Sequence, residues 1–138
     1  MAIGAGWNPG DTVKSGAVFY LVPPAAPAAG ETKWNRHVID ATLVDGHAVA
    51  CGDVMKAGYD QVVVGWRAMG KPNMKVGIKL YLPLDPEGKE WKSHLIDDNT
   101  MGCEDLTLAD LNGDGRLDIV AAGRATKNLK IYFNEGGK

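Results

Sequence analysis

Residues 34–40 read WNRHVID and residues 91–97 read WKSHLID, so a W-x-x-H-[VL]-I-D segment occurs twice in the chain, 57 residues apart. The same offset carries Asp53 onto Asp110, Gly58 onto Gly115, Val63 onto Val120 and Arg67 onto Arg124. Ahead of each W-x-x-H, residues 18–23 (VFYLVP) resemble residues 78–83 (IKLYLP), and the loops that follow differ in length by three residues. Residues 129–134 (LKIYFN) form a third copy, and Gly6-Trp7 echoes Gly65-Trp66. Strict identity is low, but the matches are collinear and fall on strand-like and turn-like positions. A chain that repeats a short unit is expected to stack copies of one supersecondary element, because no single unit can bury its own apolar face.

The repeated element reads as β-structure. Runs of four to seven β-prone residues alternate with Gly, Pro, Asn and Asp, and no stretch keeps a helical period over three turns. Glycine supplies 18 of the 138 residues, about 13% against a usual ~7%, as many tight turns require. In the best-preserved unit, strands are predicted at residues 48–53, 61–66, 77–82 and 91–97. Val62, Val63 and Val64 are apolar in succession, which suits a strand covered on both faces by stacked sheets. Four antiparallel strands in ~57 residues match a β-propeller blade. The expected fold is therefore all-β, one repeat domain over residues 1–138. It comprises a partial blade (2–40, the last three strands), a complete blade (47–97) and a second partial blade (104–133, the first three strands). Propellers close with at least four blades, and an open stack would expose apolar faces and strand edges. The chain is thus expected either to belong to a larger propeller or to complete a ring by homo-oligomerisation, two copies making six blades.

Composition removes several functions. With 15 basic and 17 acidic side chains and a net charge of −2, the chain lacks the cationic excess that a nucleic-acid binder needs. No apolar run approaches the ~18 residues of a membrane-spanning helix. The first residues, MAIGAGW, carry no basic segment and no long apolar core, so no signal peptide is read there. Two cysteines make neither a disulfide framework nor a zinc site, and Cys51 and Cys103 are expected to be unpaired, buried thiols. Residues 4–10 (GAGWNPG) have the wrong glycine spacing for a dinucleotide loop and no helix follows. No G-x-S-x-G, H-E-x-x-H or P-loop motif occurs, and no catalytic residue is assigned. The proline- and alanine-rich residues 23–30 read as a semi-rigid extended loop between two strands.

The sharpest chemical motif is D-x-N-x-D-G-x-x-D at residues 110–118. Asp110, Asn112 and Asp114 place oxygen donors at alternate positions, the carbonyl of Arg116 follows, and Asp118 adds a carboxylate. Such a set can wrap one hard cation, with Gly115 allowing the sharp turn after the third donor. Three carboxylates in nine residues repel one another without a counter-charge. Ca²⁺ suits a flexible all-oxygen loop better than Mg²⁺, so one calcium site per chain is expected. An EF-hand would carry Glu at its twelfth position, where this chain has Ala121 leading out of a strand-like run. The metal-free alternative is an Asp/Asn/Gly hairpin turn. The counterpart loop at residues 53–61 keeps Asp53 and Gly58 but replaces the other donors by Met55, Ala57 and Gln61, and adds Lys56. It should bind calcium poorly, which makes a structural role for the ion more natural than a catalytic one.

His47 opens the first strand of the complete unit and Glu104 is its counterpart 57 residues on. They read first as polar groups lining the axial channel. If they meet, they form a candidate ligand or transition-metal site, with Asp105 and Asp45 as expected neighbours. His37, His94, Trp34 and Trp91 repeat and are read as architecture, and Arg67 and Arg124 as anchors for carboxylates or inter-sheet bonds. Trp7 and Trp66 are read as packing residues ahead of sugar-stacking surfaces.

At residues 107–120, and in degenerate form at 52–65, the sequence resembles the FG-GAP/VCBS repeat family. The resemblance implies propeller blades with D-x-[DN]-x-D-G-x-x-D calcium loops between the first two strands. Residues 103–132 are more loosely similar to the propeller part of aldos-2-ulose dehydratase-type proteins, although the chain has no room for their additional cupin domains. The resemblance implies a calcium-stabilised module for recognition or assembly, with a carbohydrate or protein ligand and no nucleic acid or membrane. An extracellular or periplasmic setting fits calcium loops of this kind. The alternative is a catalytic propeller of dehydratase or lyase type, acting on a sugar-like substrate through a metal near His47 and Glu104.

Overall fold

The structure is a computed structural model that describes residues 2–5, 17–25, 30, 34–67 and 73–137, the first of these segments by backbone alone. Among the described residues there is no helix, and every strand pairing is antiparallel. Strands β1 (Ala2–Ala5), β2 (Val18–Val22) and β3 (Asn35–Asp40) form a first sheet in chain order. Strands β4 (Gly46–Gly52), β5 (Gln61–Trp66), β6 (Gly77–Pro83) and β7 (Trp91–Asp98) form a second. Strands β8 (Cys103–Ala109), β9 (Asp118–Gly123) and β10 (Asn128–Tyr132) form a third. The four strands expected between residues 48 and 97 occur within two residues of their anticipated bounds. Sequence neighbours pair throughout, so each sheet is a meander.

Glycine decides two of the connections. Gly58 (φ 83°) and Gly115 (φ 78°) take left-handed backbone at matching points of the β4–β5 and β8–β9 loops, a region costly for residues with a Cβ. Val54 N–H donates to the Gly52 carbonyl at 2.9 Å, so the first of these loops turns immediately after β4.

The second sheet lies between the other two. Val62 and Val64, with Tyr81, face the first sheet, where they meet Val18, Ile39 and Leu43. Val63, Ala48, Ile78 and Leu80 face the third sheet and meet Cys103, Leu106, Ile119 and Ala121. Three successive valines are therefore buried on alternate sides, as their unbroken apolar run anticipates. Each contributes about 1.5–3 kcal/mol by leaving water. Strand β8 lies against β4 and β5, and β1 lies beside β4. The contact is close at Gly65, where a Cβ would lie 2.3 Å from Cys103 Sγ.

Each sheet junction also carries a polar latch. At the end of β3, Asp40 accepts hydrogen bonds from Tyr81 Oη (2.7 Å) and Lys79 Nζ (3.2 Å) of the second sheet. Near the end of β7, Asp97 accepts from Tyr132 Oη (2.7 Å) and Lys130 Nζ (3.3 Å) of the third. Thr42 and Thr100 add bonds to the respective carboxylates. The hydrogen bonds to each aspartate outweigh the opposing effect of burial, and both carboxyls are held below the usual range.

Large apolar side chains are exposed on the outermost sheets. Val38 on β3 is 50% exposed, and Leu129, Ile131 and Phe133 along and just past β10 are 67%, 44% and 55% exposed. Cys103 is a buried free thiol, as expected. Cys51 is free but exposed, which corrects the expectation of two buried thiols. It lies one residue from the end of β4, next to the loop, where the sheets no longer cover the strand.

Candidate functional site

The carboxylate loop sits between β8 and β9, anchored by Asp118 at the first position of β9. Asp118 is fully buried, and its two oxygens accept from the N–H groups of Leu111 (3.0 Å) and Asn134 (2.9 Å). Asp110 accepts from Gly113 N–H (2.7 Å) and Gly115 N–H (2.8 Å). Asn112 Oδ1 accepts from Asp114 N–H (3.1 Å), and Asp114 Oδ1 from Arg116 N–H (2.8 Å). The side chains expected to bind a cation thus also shape the loop, since short polar side chains cap successive backbone N–H groups.

The counterpart loop uses the same plan without a full donor set. Asp53 accepts from Ala57 N–H (2.7 Å) and Gly58 N–H (2.8 Å), and Gln61 Oε1 accepts from Met55 N–H (2.8 Å). Gln61, fully buried, stands where Asp118 stands in the other loop. Lys56 reaches across: a Cβ on Gly115 would lie 3.1 Å from its Nζ. Its ammonium therefore lies against the 110–118 loop, where it offsets part of the loop's negative charge.

The donor chemistry of residues 110–118 fits a hard cation. Asp110, Asn112, Asp114, Asp118 and the Arg116 carbonyl offer oxygen alone, and each carboxylate oxygen that accepts one N–H retains a further lone pair. In the conformation described, these carboxylates turn toward backbone N–H groups. Among the described residues no three His, Cys, Asp or Glu side chains gather in a way that could hold a metal ion.

The residues expected at the opening of the first strands do come together, in part. His47 Nδ1 lies 2.7 Å from the Glu104 carbonyl and 3.4 Å from Glu104 Oε2. Arg67 Nη1 donates to the same Oε2 at 2.6 Å, and Arg124 Nε lies 3.5 Å from Oε1. Asp45 joins through Arg67 Nε at 3.8 Å and by accepting Arg67 N–H at 3.3 Å. Asp105 does not join: it is exposed, and its carboxylate accepts from the N–H of Leu106 at 2.9 Å. The centre of the cluster is a carboxylate held by two guanidinium groups, so a metal ion bound there would face strong cationic repulsion. A shallow cavity of about 580 Å³, lined by Glu104, Arg124, Lys127 and Asn128, opens beside it.

The other repeated residues divide. His37 stacks on Tyr20 at 4.7 Å and Trp91 Nε1 donates to the Gly88 carbonyl at 2.7 Å, both architectural contacts. Trp66 Nε1 donates to the Lys75 carbonyl at 2.8 Å, and Trp7 lies outside the described residues. Sequence reasoning missed the junction latches. Their signal was present: the aspartate closes each W-x-x-H-[VL]-I-D segment, and K-x-Y recurs at residues 79–81 and 130–132. Comparison of the chain with protein-family models, with curated proteins and with solved structures finds no match.

Proposed function

We propose that the chain is a β-propeller segment of FG-GAP/VCBS type that serves in recognition or assembly, with calcium stabilising the 110–118 loop. The observation that carries this reading is the latch made twice with one polarity. The aspartate of one sheet receives Tyr and Lys of the next, at both junctions. A junction repeated with the same polarity is heterologous, and such contacts generate rings when the rotation closes. The exposed apolar residues on the outermost sheets are what a further sheet would cover. That sheet would come from a second copy or from the rest of a larger propeller. The ion would be held by Asp110, Asn112, Asp114, Asp118 and the Arg116 carbonyl. It would neutralise the loop and tie β8 to β9. Carbohydrate or a protein surface is the ligand class, with the shallow cavity beside Glu104 and Arg124 as one contact region. The catalytic alternative has less support, because two arginines already engage the carboxylate it would need for a metal.

The test is the mass of the particle by light scattering, with calcium and with chelator, beside the Ile131→Asp and Leu129→Asp variants. A discrete oligomer of the 14.7 kDa chain, dissociated by the variants, is the expected result. A monomer whose solubility and melting temperature ignore both variants would refute the claim that this face is built to be covered.

A further inference from the structure

A cavity of about 730 Å³ opens where the first and second sheets meet the β6–β7 turn and the β4–β5 loop. Its wall holds the aromatic rings of Tyr20, Tyr59 and Trp91 and the carboxylates of Asp60, Asp85 and Glu87. Tyr20 and Trp91 are tilted 48° to each other with centroids 6.3 Å apart, so they form two sides of a corner. Both are fixed from behind. Tyr20 Oη donates to the Gly88 carbonyl at 3.0 Å, and Trp91 Nε1 to the same carbonyl at 2.7 Å. Tyr59 is 50% exposed and forms a further side. Asp85 organises the turn by accepting from Lys89 N–H (3.1 Å) and Glu90 N–H (2.6 Å).

The polar part of this wall has one sign. Among the described residues no Lys, Arg or His lines the cavity, and neither Asp60 nor Glu87 has an ion-pair partner. Aromatic faces carry negative quadrupole charge, and carboxylates in a concave, partly apolar site focus the field further. A sugar would require donors as well as acceptors. Here the Tyr20 and Trp91 donors are already committed to a backbone carbonyl, and among the described residues no amide or basic side chain lines the space.

We propose that this cavity binds an alkylammonium group, with Tyr59 and Trp91 flanking the methyl groups, the largely buried Tyr20 backing the site from beneath, and Asp60, Asp85 and Glu87 supplying counter-charge. Choline and N-trimethyl-lysine present this head group from a free small molecule and from a protein side chain respectively. The proposal does not depend on calcium or on ring closure.

Calorimetry with choline chloride tests it, beside 3,3-dimethyl-1-butanol, the neutral isostere of the same shape, and a trimethyl-lysine peptide. Saturable choline binding is expected, with the neutral isostere at least about 10-fold weaker. Tyr59→Leu should weaken choline by about 2–5-fold and Glu87→Gln by a similar factor, with melting temperatures unchanged. These two positions are chosen because Tyr20 and Trp91 also hold the sheets together. Tighter binding of the peptide than of choline would assign the protein-borne source, and the reverse order the free one. Equal affinity for the neutral isostere, absence of saturable choline binding, or choline affinity unchanged in both variants would overturn the proposal. So would a neutral methyl glucoside that competes for the same residues more tightly than choline.

Discussion

The Asp97 latch offers the sharpest perturbation. Asp97 is buried and accepts from Thr100 N–H (2.8 Å), Thr100 Oγ1 (2.5 Å), Tyr132 Oη (2.7 Å) and Lys130 Nζ (3.3 Å). Burial by itself would raise its pKa, but these bonds outweigh it and hold the carboxyl at about 2 against an ordinary 3.8. At about 1.36 kcal/mol per unit, the ionised form stabilises the fold by about 2 kcal/mol. Asp97→Ala also strands the Tyr132 hydroxyl and leaves Lys130 without its carboxylate, so a loss of about 3–5 kcal/mol is expected. Tyr132→Phe removes one bond to a charged acceptor and should cost about 1.5–3 kcal/mol. The sign of the pH dependence follows from the depressed pKa. The contribution is fully present above the unfolded pKa near ~4 and is lost as pH falls through about 2. Urea unfolding of wild type and Asp97→Asn from pH 7 down to pH 2 would measure it. The difference between the two proteins should shrink across that lower interval. A pH-independent difference, or a Tyr132→Phe cost below about 0.5 kcal/mol, would refute the latch as a source of inter-sheet stability.

Three other outcomes are expected. Calcium should raise the melting temperature of wild type but not of Asp114→Ala, and Lys56→Met should tighten calcium several-fold by removing a nearby positive charge; differential scanning fluorimetry and calorimetry would show whether it does. Gly65→Ala should destabilise by about 1–3 kcal/mol or more, because its methyl would meet Cys103 Sγ at 2.3 Å and push the sheets apart; a neutral substitution would mean that the third sheet is not seated where described. Iodoacetamide at pH 8 should alkylate exposed Cys51 and spare Cys103, whose thiol burial pushes up to about 12; equal labelling by mass spectrometry would contradict that packing.

Much of this architecture is legible along the chain. The strand runs, the valine triplet of β5 and the turn glycines Gly58 and Gly115 follow from local chemistry, because pleating, double-sided burial and positive φ each demand particular residue types. The carboxylate loop is legible for the same reason: its donors and its backbone caps lie within nine residues. Other features exist only between sheets. Asp40 finds Tyr81 across 41 positions, and Asp97 finds Tyr132 across 35. His47 and Glu104 share an offset visible in sequence, but it is the stacking of β4 on β8 that brings Arg67 between the carboxylates of Asp45 and Glu104 and leaves Asp105 outside the cluster. The aromatic cavity gathers Tyr20, Tyr59 and Trp91 from three separate segments, so no spacing announces it. Local sequence determined the strands, turns and loop chemistry, because those depend on residues a few positions apart. Which charges meet, which thiol is covered and which rings enclose space were decided by how one sheet lies on the next.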